Sequence, residues 1–193
     1  MRADGMASLA FFYCDHKDDQ KNDRFPLLSS LLVQLCDQSD AYREALSKLY
    51  AEHESGFQDP SDDTLTQCLK SMLVLPDQAP VYIIIDALDE CPHTDDMPSS
   101  RDKVLGLVKE LVELQVPEPN LRICITSRPE ADIRPILGSF PFRSISLHDE
   151  DGQMQDIADY IKSVVNMDHI MGNWRPEVKE LVIEVLTRKA DKM

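Results

Sequence analysis

The sequence has no long apolar run and no basic patch. None of its apolar stretches approaches the roughly 20 residues that cross a bilayer, and residues 1–6 precede only a short one, so no secretory signal is predicted. Lys and Arg number 20 against 35 Asp and Glu, which gives a net charge of −15. A chain this acidic repels phosphate backbones. We therefore expect neither a membrane nor a nucleic acid among its partners.

Cysteine is scarce as well. The five cysteines are odd in number and widely spaced, so they predict no disulfide framework and contain no C-x-x-C pair. They favour a reduced, cytoplasmic protein. Cys14 with His16, and Cys91 with His93, form two C-x-H pairs beyond predicted strands. A zinc site is one interpretation of these pairs, and half-buried cysteines beside loop histidines are the other, which the tight spacing favours.

The sequence also lacks a phosphate-binding loop. That motif, G-x-x-x-x-G-K-[ST], uses backbone N–H groups, a lysine and a hydroxyl to hold nucleotide phosphates and Mg²⁺. The chain has 6 glycines, none of them before a lysine and no two of them five positions apart. The motif is absent rather than degenerate.

What is present is an alternation of strand-like and helix-like segments. Residues 81–85 are continuously apolar, which indicates a strand covered on both faces of a parallel sheet. Ser61 is the predicted N-cap of a helix that runs to Leu73. The alternation predicts an α/β chain with a mostly parallel sheet. Strands are predicted over 8–14, 81–85, 121–126 and, more weakly, 143–147, and the other helices over 25–36, 41–53, 101–114, 132–137, 151–165 and 176–189.

Acidic residues follow the second predicted strand. Asp86 comes directly after it, and Asp89 and Glu90 stand three and four positions on. Ligands of open parallel sheets bind beyond the carboxyl ends of the strands. Asp86 is therefore a candidate Mg²⁺ ligand, and the other two acids could orient or deprotonate a water that attacks a γ-phosphate.

The next apolar strand ends in Thr126, Ser127 and Arg128. An arginine at that position could bind the γ-phosphate and neutralise developing charge. The alternative is that Asp86 and Asp89 only cap loops, and that Arg128 forms a salt bridge with one of them.

These two segments carry a family resemblance. VYIIIDALDEC at 81–91, followed by LRICITSRPE at 121–130, resembles the Walker B and sensor 1 segments of NACHT-type STAND NTPases, in particular their fungal, nephrocystin-like branch. LAFFYCDHKDDQ and PLLSSLLVQLC agree with this likeness, which extends over residues 8–191. Ala87 stands where many members of that family have glycine.

The resemblance implies a partial P-loop NTPase-type fold, a three-layer α/β arrangement of a parallel sheet with flanking helices that lacks the central P-loop strand. The expected strand order is first, Walker B, sensor. Without the central strand, the sensor strand would expose an unpaired edge. Residues 8–148 would be a partial nucleotide-binding domain, and residues 149–193 the start of a following helical domain.

The resemblance also implies a signalling switch that binds ATP or GTP with Mg²⁺. Its catalytic residues would be Asp89, Glu90 and Arg128, and its cofactor-binding residues Asp86, Thr126 and Ser127, with Asp86 holding Mg²⁺ through water. Because the phosphate-binding loop is missing, we expect the chain to begin after it and to bind nucleotide weakly or not at all. A working NTPase, a module that associates with itself or with full-length relatives, and a non-functional fragment all remain open.

Overall fold

A computed structural model describes most of the chain. Within the described residues, no helix is long and apolar enough to cross a bilayer. Contacts divide the chain into two compact units, Met1–Phe140 and Pro141–Met193. The described residues are 6–17, 22–52, 60–94, 98–114, 121–140, 143–146 and 153–190.

The first unit contains one parallel sheet. Its strands are β1 (Ser8–Tyr13), β2 (Val81–Asp86) and β3 (Leu121–Ile125), in the order β1-β2-β3. All three run in the same direction. The predicted α/β class, the parallel sheet and the strand order are confirmed.

The prediction of a fourth strand over 143–147 is wrong for the residues that the structure describes there. Residues 143–146 form no strand, and Leu147 lies outside the described residues. Ile145 is the one apolar residue among these four, and it is 59% exposed. A strand depends on pairing and on burial of an apolar face, and this segment buries none.

The predicted helices of both units are confirmed, with ends that differ by a few residues. Ser61 caps its helix as predicted, because its side chain accepts a hydrogen bond from the Thr64 N–H at 3.2 Å. In the second unit, the two helices pack against each other. The helices are α1 (Arg24–Cys36), α2 (Asp40–Glu52), α3 (Asp62–Leu73), α4 (Ser100–Val112), α5 (Ile133–Leu137), α6 (Gln153–Met167) and α7 (Pro176–Ala190).

The core of the first unit lies on one face of the sheet. Ala10 and Ile83 are neighbours in register and fully buried, and they share a cluster with the apolar side of α1. The opposite face is less covered, since Ile84 is half-buried and Cys124 is exposed. The α1 leucines of the core are Leu27, Leu28, Leu31, Leu32 and Leu35, all at most 1% exposed.

The outer edge of β1 is covered by two glutamine side chains, Gln34 of α1 and Gln38 of the turn that follows α1. Gln34 accepts from the Phe11 N–H at 3.1 Å and donates to the Phe11 carbonyl at 2.7 Å. Gln38 does the same at Leu9, at 2.9 and 2.8 Å. Each side-chain amide therefore replaces one residue of a neighbouring strand, and the edge is protected from pairing with another chain.

Among the described residues, no side chain covers the outer edge of β3 in this way. Thr126 pairs with the β2 side, because its N–H donates to the Ile85 carbonyl and its carbonyl accepts from the Leu88 N–H, both at 3.0 Å. Backbone direction alternates along a strand, so Ile123 and Ile125 point their N–H and carbonyl groups away from β2. No strand of the described sheet lies on that side, which agrees with the predicted open edge.

Replacing Gln34 with leucine should destabilise the first unit by about 1–2 kcal/mol, because the half-buried Phe11 N–H and carbonyl lose their partners. Urea unfolding followed by circular dichroism measures the change. The control is Ser47→Ala, on the exposed side of α2, for which we expect a change within about 0.5 kcal/mol. Equal effects of the two substitutions would show that the glutamine does not protect the edge.

Candidate functional site

Thr126 joins the carboxyl ends of β2 and β3. Its hydroxyl donates to Asp86 Oδ1 at 2.5 Å and accepts from the Ala87 N–H at 2.9 Å. Asp86 is half-buried. Its Oδ2 has no hydrogen-bond partner within the described part of the chain. One oxygen of this carboxylate is therefore fixed, and the other remains free for a ligand.

The chain reverses direction directly after Asp86. Ala87 adopts the left-handed conformation, with φ 55° and ψ 48°, which costs about 1–2 kcal/mol for a residue with a Cβ. Glycine adopts it without that cost, which explains why a glycine suits this position. A 3₁₀ turn, Leu88–Glu90, follows, and the fully buried Leu88 anchors it in the core.

Asp89 and Arg128 are paired. Asp89 Oδ1 accepts from the Arg128 backbone N–H at 3.0 Å, and Oδ2 lies 3.5 Å from the Arg128 Nε. The Asp89 side chain is 11% exposed and the Arg128 side chain 80% exposed. This is the salt bridge of the loop-capping alternative, so Asp89 has a structural role here whatever chemistry it performs.

Glu90 faces the loop after β1. Its Oε2 accepts from the His16 N–H at 3.2 Å and lies 3.4 Å from the His16 Nδ1. Asp15 Oδ1 is 3.9 Å from the same nitrogen. Asp15, His16 and Glu90 form the one group of three potential metal ligands among the described residues, and it does not include Asp86. Exposed groups of this kind are common without an ion.

A pocket of about 540 Å³ lies between these loops. It brings together the three predicted catalytic residues Asp89, Glu90 and Arg128. The predicted cofactor-binding residues Asp86, Thr126 and Ser127 do not line it. The other lining residues are His16, Cys91, Pro92, His93, Arg101 and Glu130.

Arg101 stabilises the acidic turn, the 3₁₀ turn Leu88–Glu90 that carries Asp89 and Glu90, through hydrogen bonds to backbone carbonyls. This arginine of α4 is 8% exposed. Its Nε donates to the Cys91 carbonyl at 3.0 Å, and one terminal nitrogen donates to the Asp89 carbonyl. The other terminal nitrogen contacts both carboxylate oxygens of Asp132, at 3.0 and 3.2 Å. The backbone of the turn is therefore tied to α4 and, through Asp132, to the start of α5.

The sequence analysis missed Arg101 and Asp132. The residues are 31 positions apart, and no spacing rule joins them. A signal was nevertheless present, because Arg101 stands three and four positions before the buried Val104 and Leu105. An arginine that continues the apolar side of a helix is a candidate for a buried partner.

The charge state of Asp132 follows from these contacts. Burial alone would raise the pKa of this carboxyl, but the Arg101 hydrogen bonds and the nearby charges outweigh it, and the pKa is lowered. The pair therefore stays ionised down to acidic pH.

The four candidate zinc ligands, Cys14, His16, Cys91 and His93, do not come together in the structure. The sulfurs of Cys14 and Cys91 are 3.1 Å apart, but the histidines face elsewhere. His16 contacts Glu90, and the Nδ1 of His93 lies 3.5 Å from Asp132. The two cysteines and two histidines form no ligand set within the part of the chain that is described.

Comparison with protein families gives a match over most of the chain. A family model described as nephrocystin 3, N-terminal, matches residues 1–128 of this 193-residue chain. No curated protein and no solved structure matches the chain.

Replacing Asp132 with asparagine should lower the free energy of unfolding at pH 7 by about 3 kcal/mol, because the buried Arg101 guanidinium loses its carboxylate partner. The folded-state pKa of Asp132 is lowered, so its contribution is complete above the unfolded pKa of about 3.9 and is lost as the pH falls through the folded value. Urea unfolding between pH 2 and 7 should show the gap between wild type and variant closing below about pH 4.

The matched control is Asp40→Asn, whose carboxylate is 93% exposed and paired with Arg43. We expect it to change stability by less than about 0.5 kcal/mol at any pH in this range. A gap that stays constant as the pH falls would contradict the assigned role of Asp132.

Proposed function

Because this chain belongs to the nephrocystin 3 N-terminal family, we propose that it is part of a cytoplasmic, nucleotide-operated signalling switch of the NACHT type. It carries the acids that face Mg²⁺ and the γ-phosphate. It lacks the loop that holds the phosphates, and it therefore binds ATP or GTP only weakly by itself.

The observation that carries the proposal is the free oxygen of Asp86 at the carboxyl end of the sheet. Mg²⁺ keeps most of its waters and takes one or two carboxylates together with phosphate oxygens. Thr126 orients Asp86 through one oxygen, and the other accepts no hydrogen bond from the described residues. Asp86 can therefore accept a hydrogen bond from a water of hydrated Mg²⁺, as the family resemblance implies.

The pocket residues supply the second part of the argument. The exposed guanidinium of Arg128 can leave Asp89 and bind a γ-phosphate, which would neutralise charge there. Asp89 would then be free to accept a proton or orient a water. Glu90 lies on the same 3₁₀ turn and is one-third exposed, so it can share that role.

The missing loop limits the affinity. Backbone N–H groups and a lysine normally surround the phosphates in this class of site, and Arg128 is the one arginine or lysine of the pocket that is not buried. We therefore propose weak Mg²⁺–nucleotide binding and no turnover by the chain alone.

Titration of the folded chain with MgATP and MgGTP, followed by NMR of backbone amides, tests this proposal. We expect a Kd of about 1 mM or weaker, with shifts centred on Asp86 and Thr126 that require Mg²⁺. Asp86→Ala should weaken the Mg²⁺-dependent binding at least tenfold, while Asp40→Ala should leave it unchanged. The nucleotide proposal fails if binding is absent at several millimolar, or if it is indifferent to Mg²⁺ and to Asp86.

The open edge of β3 supports a second candidate function, that of a non-catalytic module that associates with a second copy or with full-length relatives. Edge strands with unpaired backbone groups pair readily with other chains. The contrast with β1, whose edge Gln34 and Gln38 cover, marks β3 as the side for such pairing. This association needs no nucleotide.

Hydrogen exchange of the β3 backbone amides tests whether this edge pairs with a second copy. In dilute solution, the outward amides of Ile123 and Ile125 should exchange at least about tenfold faster than the paired amides of Arg122 and Cys124. Raising the protein concentration about a hundredfold should slow exchange at the two outward amides if β3 pairs with a second copy. Exchange that does not depend on concentration would rule out self-association through this edge.

A further inference from the structure

A pair of buried thiols lies beside the pocket, and one of them, Cys91, lines it. Cys14 follows β1, and Cys91 follows the 3₁₀ turn that carries the acids. They are 77 positions apart in sequence, yet their sulfurs lie 3.1 Å from each other. Cys14 is 5% exposed and Cys91 1% exposed. We propose that these two cysteines form a reversible disulfide, so that a redox-sensitive modification site adjoins the pocket.

The distance between the sulfurs favours a disulfide over a shared metal. A disulfide bond is about 2.05 Å long, so closure requires the sulfurs to approach by about 1 Å. Two thiolates on one tetrahedral zinc, each about 2.3 Å from it, would lie about 3.8 Å apart. The thiols are already closer than that, and neither His16 nor His93 is placed to complete a zinc site.

Backbone contacts hold the two cysteines in position. The Cys14 N–H donates to the Asp86 carbonyl at 3.0 Å, which extends the pairing of β1 with β2. The Cys91 carbonyl accepts from the buried Arg101, and the Cys91 N–H donates to the Leu88 carbonyl at 3.1 Å. Both main chains are therefore fixed, and the side chains meet without rearrangement of the sheet.

The two thiols differ in reactivity and access. The pKa of Cys91 is lowered by its hydrogen bond with Cys14 and by the Arg101 charge, against the effect of burial, whereas that hydrogen bond and burial raise the pKa of Cys14. Cys91 also borders the 540 Å³ pocket, and Cys14 does not. A thiolate is the reactive form of cysteine. Cys91 is therefore the attacking thiol, and Cys14 the resolving one.

The reaction balances with hydrogen peroxide as the oxidant. The Cys91 thiolate attacks one peroxide oxygen, the O–O bond breaks, and hydroxide leaves and takes up a proton to form water. Cys91 is then a sulfenic acid. The Cys14 sulfur attacks the Cys91 sulfur, the S–O bond breaks, and a second water leaves. Two thiols have lost two electrons in total, and one peroxide has become two waters.

The other cysteines serve as internal references. Burial raises the pKa of Cys36 and raises that of Cys68 to about 11, so both resist oxidation. Cys124 is exposed on β3 and should react with any reagent. A Cys124→Ser background removes disulfides between chains and leaves the buried thiols unchanged.

The test uses the folded chain in that background, treated with a peroxide concentration at which Cys36 and Cys68 stay reduced. Free thiols are labelled under denaturing conditions, and the peptides are analysed by mass spectrometry without reduction. We expect two of the four remaining thiols, those of Cys14 and Cys91, to become unavailable to the label together. We also expect a linked pair of tryptic peptides, residues 3–17 with 71–101, that dithiothreitol separates.

Two variants complete the experiment. Cys36→Ser, a matched buried thiol at 7% exposure, should leave the linked peptides unchanged. Cys14→Ser should abolish them and let a sulfenic-acid probe label Cys91. The proposal is overturned if Cys14 and Cys91 both stay reduced, if either pairs with another cysteine, or if Cys91 is labelled equally in wild type and Cys14→Ser. The result with the wild-type pair does not depend on how well either variant folds, nor on whether the chain binds nucleotide.

Discussion

The buried guanidinium of Arg101 is the contact on which the proposed site depends. A charged group in the core is costly unless its charge is balanced and each of its nitrogens finds a hydrogen-bond partner. Arg101 meets this condition with one carboxylate, from Asp132, and two backbone carbonyls, from Asp89 and Cys91. These partners belong to separate parts of the chain. The neutralisation of one buried charge therefore also fixes α4, the acidic turn and the start of α5 relative to each other.

The sheet provides the second constraint. Parallel pairing places the carboxyl ends of all three strands at the same end of the sheet. Asp86 and Thr126 therefore meet there although they are 40 positions apart. The two lateral edges differ. The side-chain amides of Gln34 and Gln38 satisfy the outer side of β1, while the outer side of β3 has no neighbour within the described sheet. A sheet closed on one side and open on the other has a defined direction for association.

The pocket combines two kinds of chemistry at short range. The 3₁₀ turn carries Asp89 and Glu90, which would orient or deprotonate the attacking water in the proposed function. The next residue is Cys91, which contacts Cys14. A disulfide there would tie the turn to the end of β1, next to His16 and its contact with Glu90. Oxidation of the thiols and the geometry of the acids would then be linked through one short segment.

The sequence by itself determined the α/β class, the strand order and the polar character of the strand ends. Apolar periodicity and residues such as Ser61 act locally, and the resemblance supplied the topology. The sequence could not show that Arg128 pairs with Asp89, that Arg101 and Asp132 support the turn, or that Cys14 and Cys91 are in contact. Nor could it show that the segment around Ile145 buries too little to form a strand. Those outcomes were decided only by the tertiary structure, because they depend on burial and on contacts between side chains far apart along the chain, which local sequence pattern does not encode.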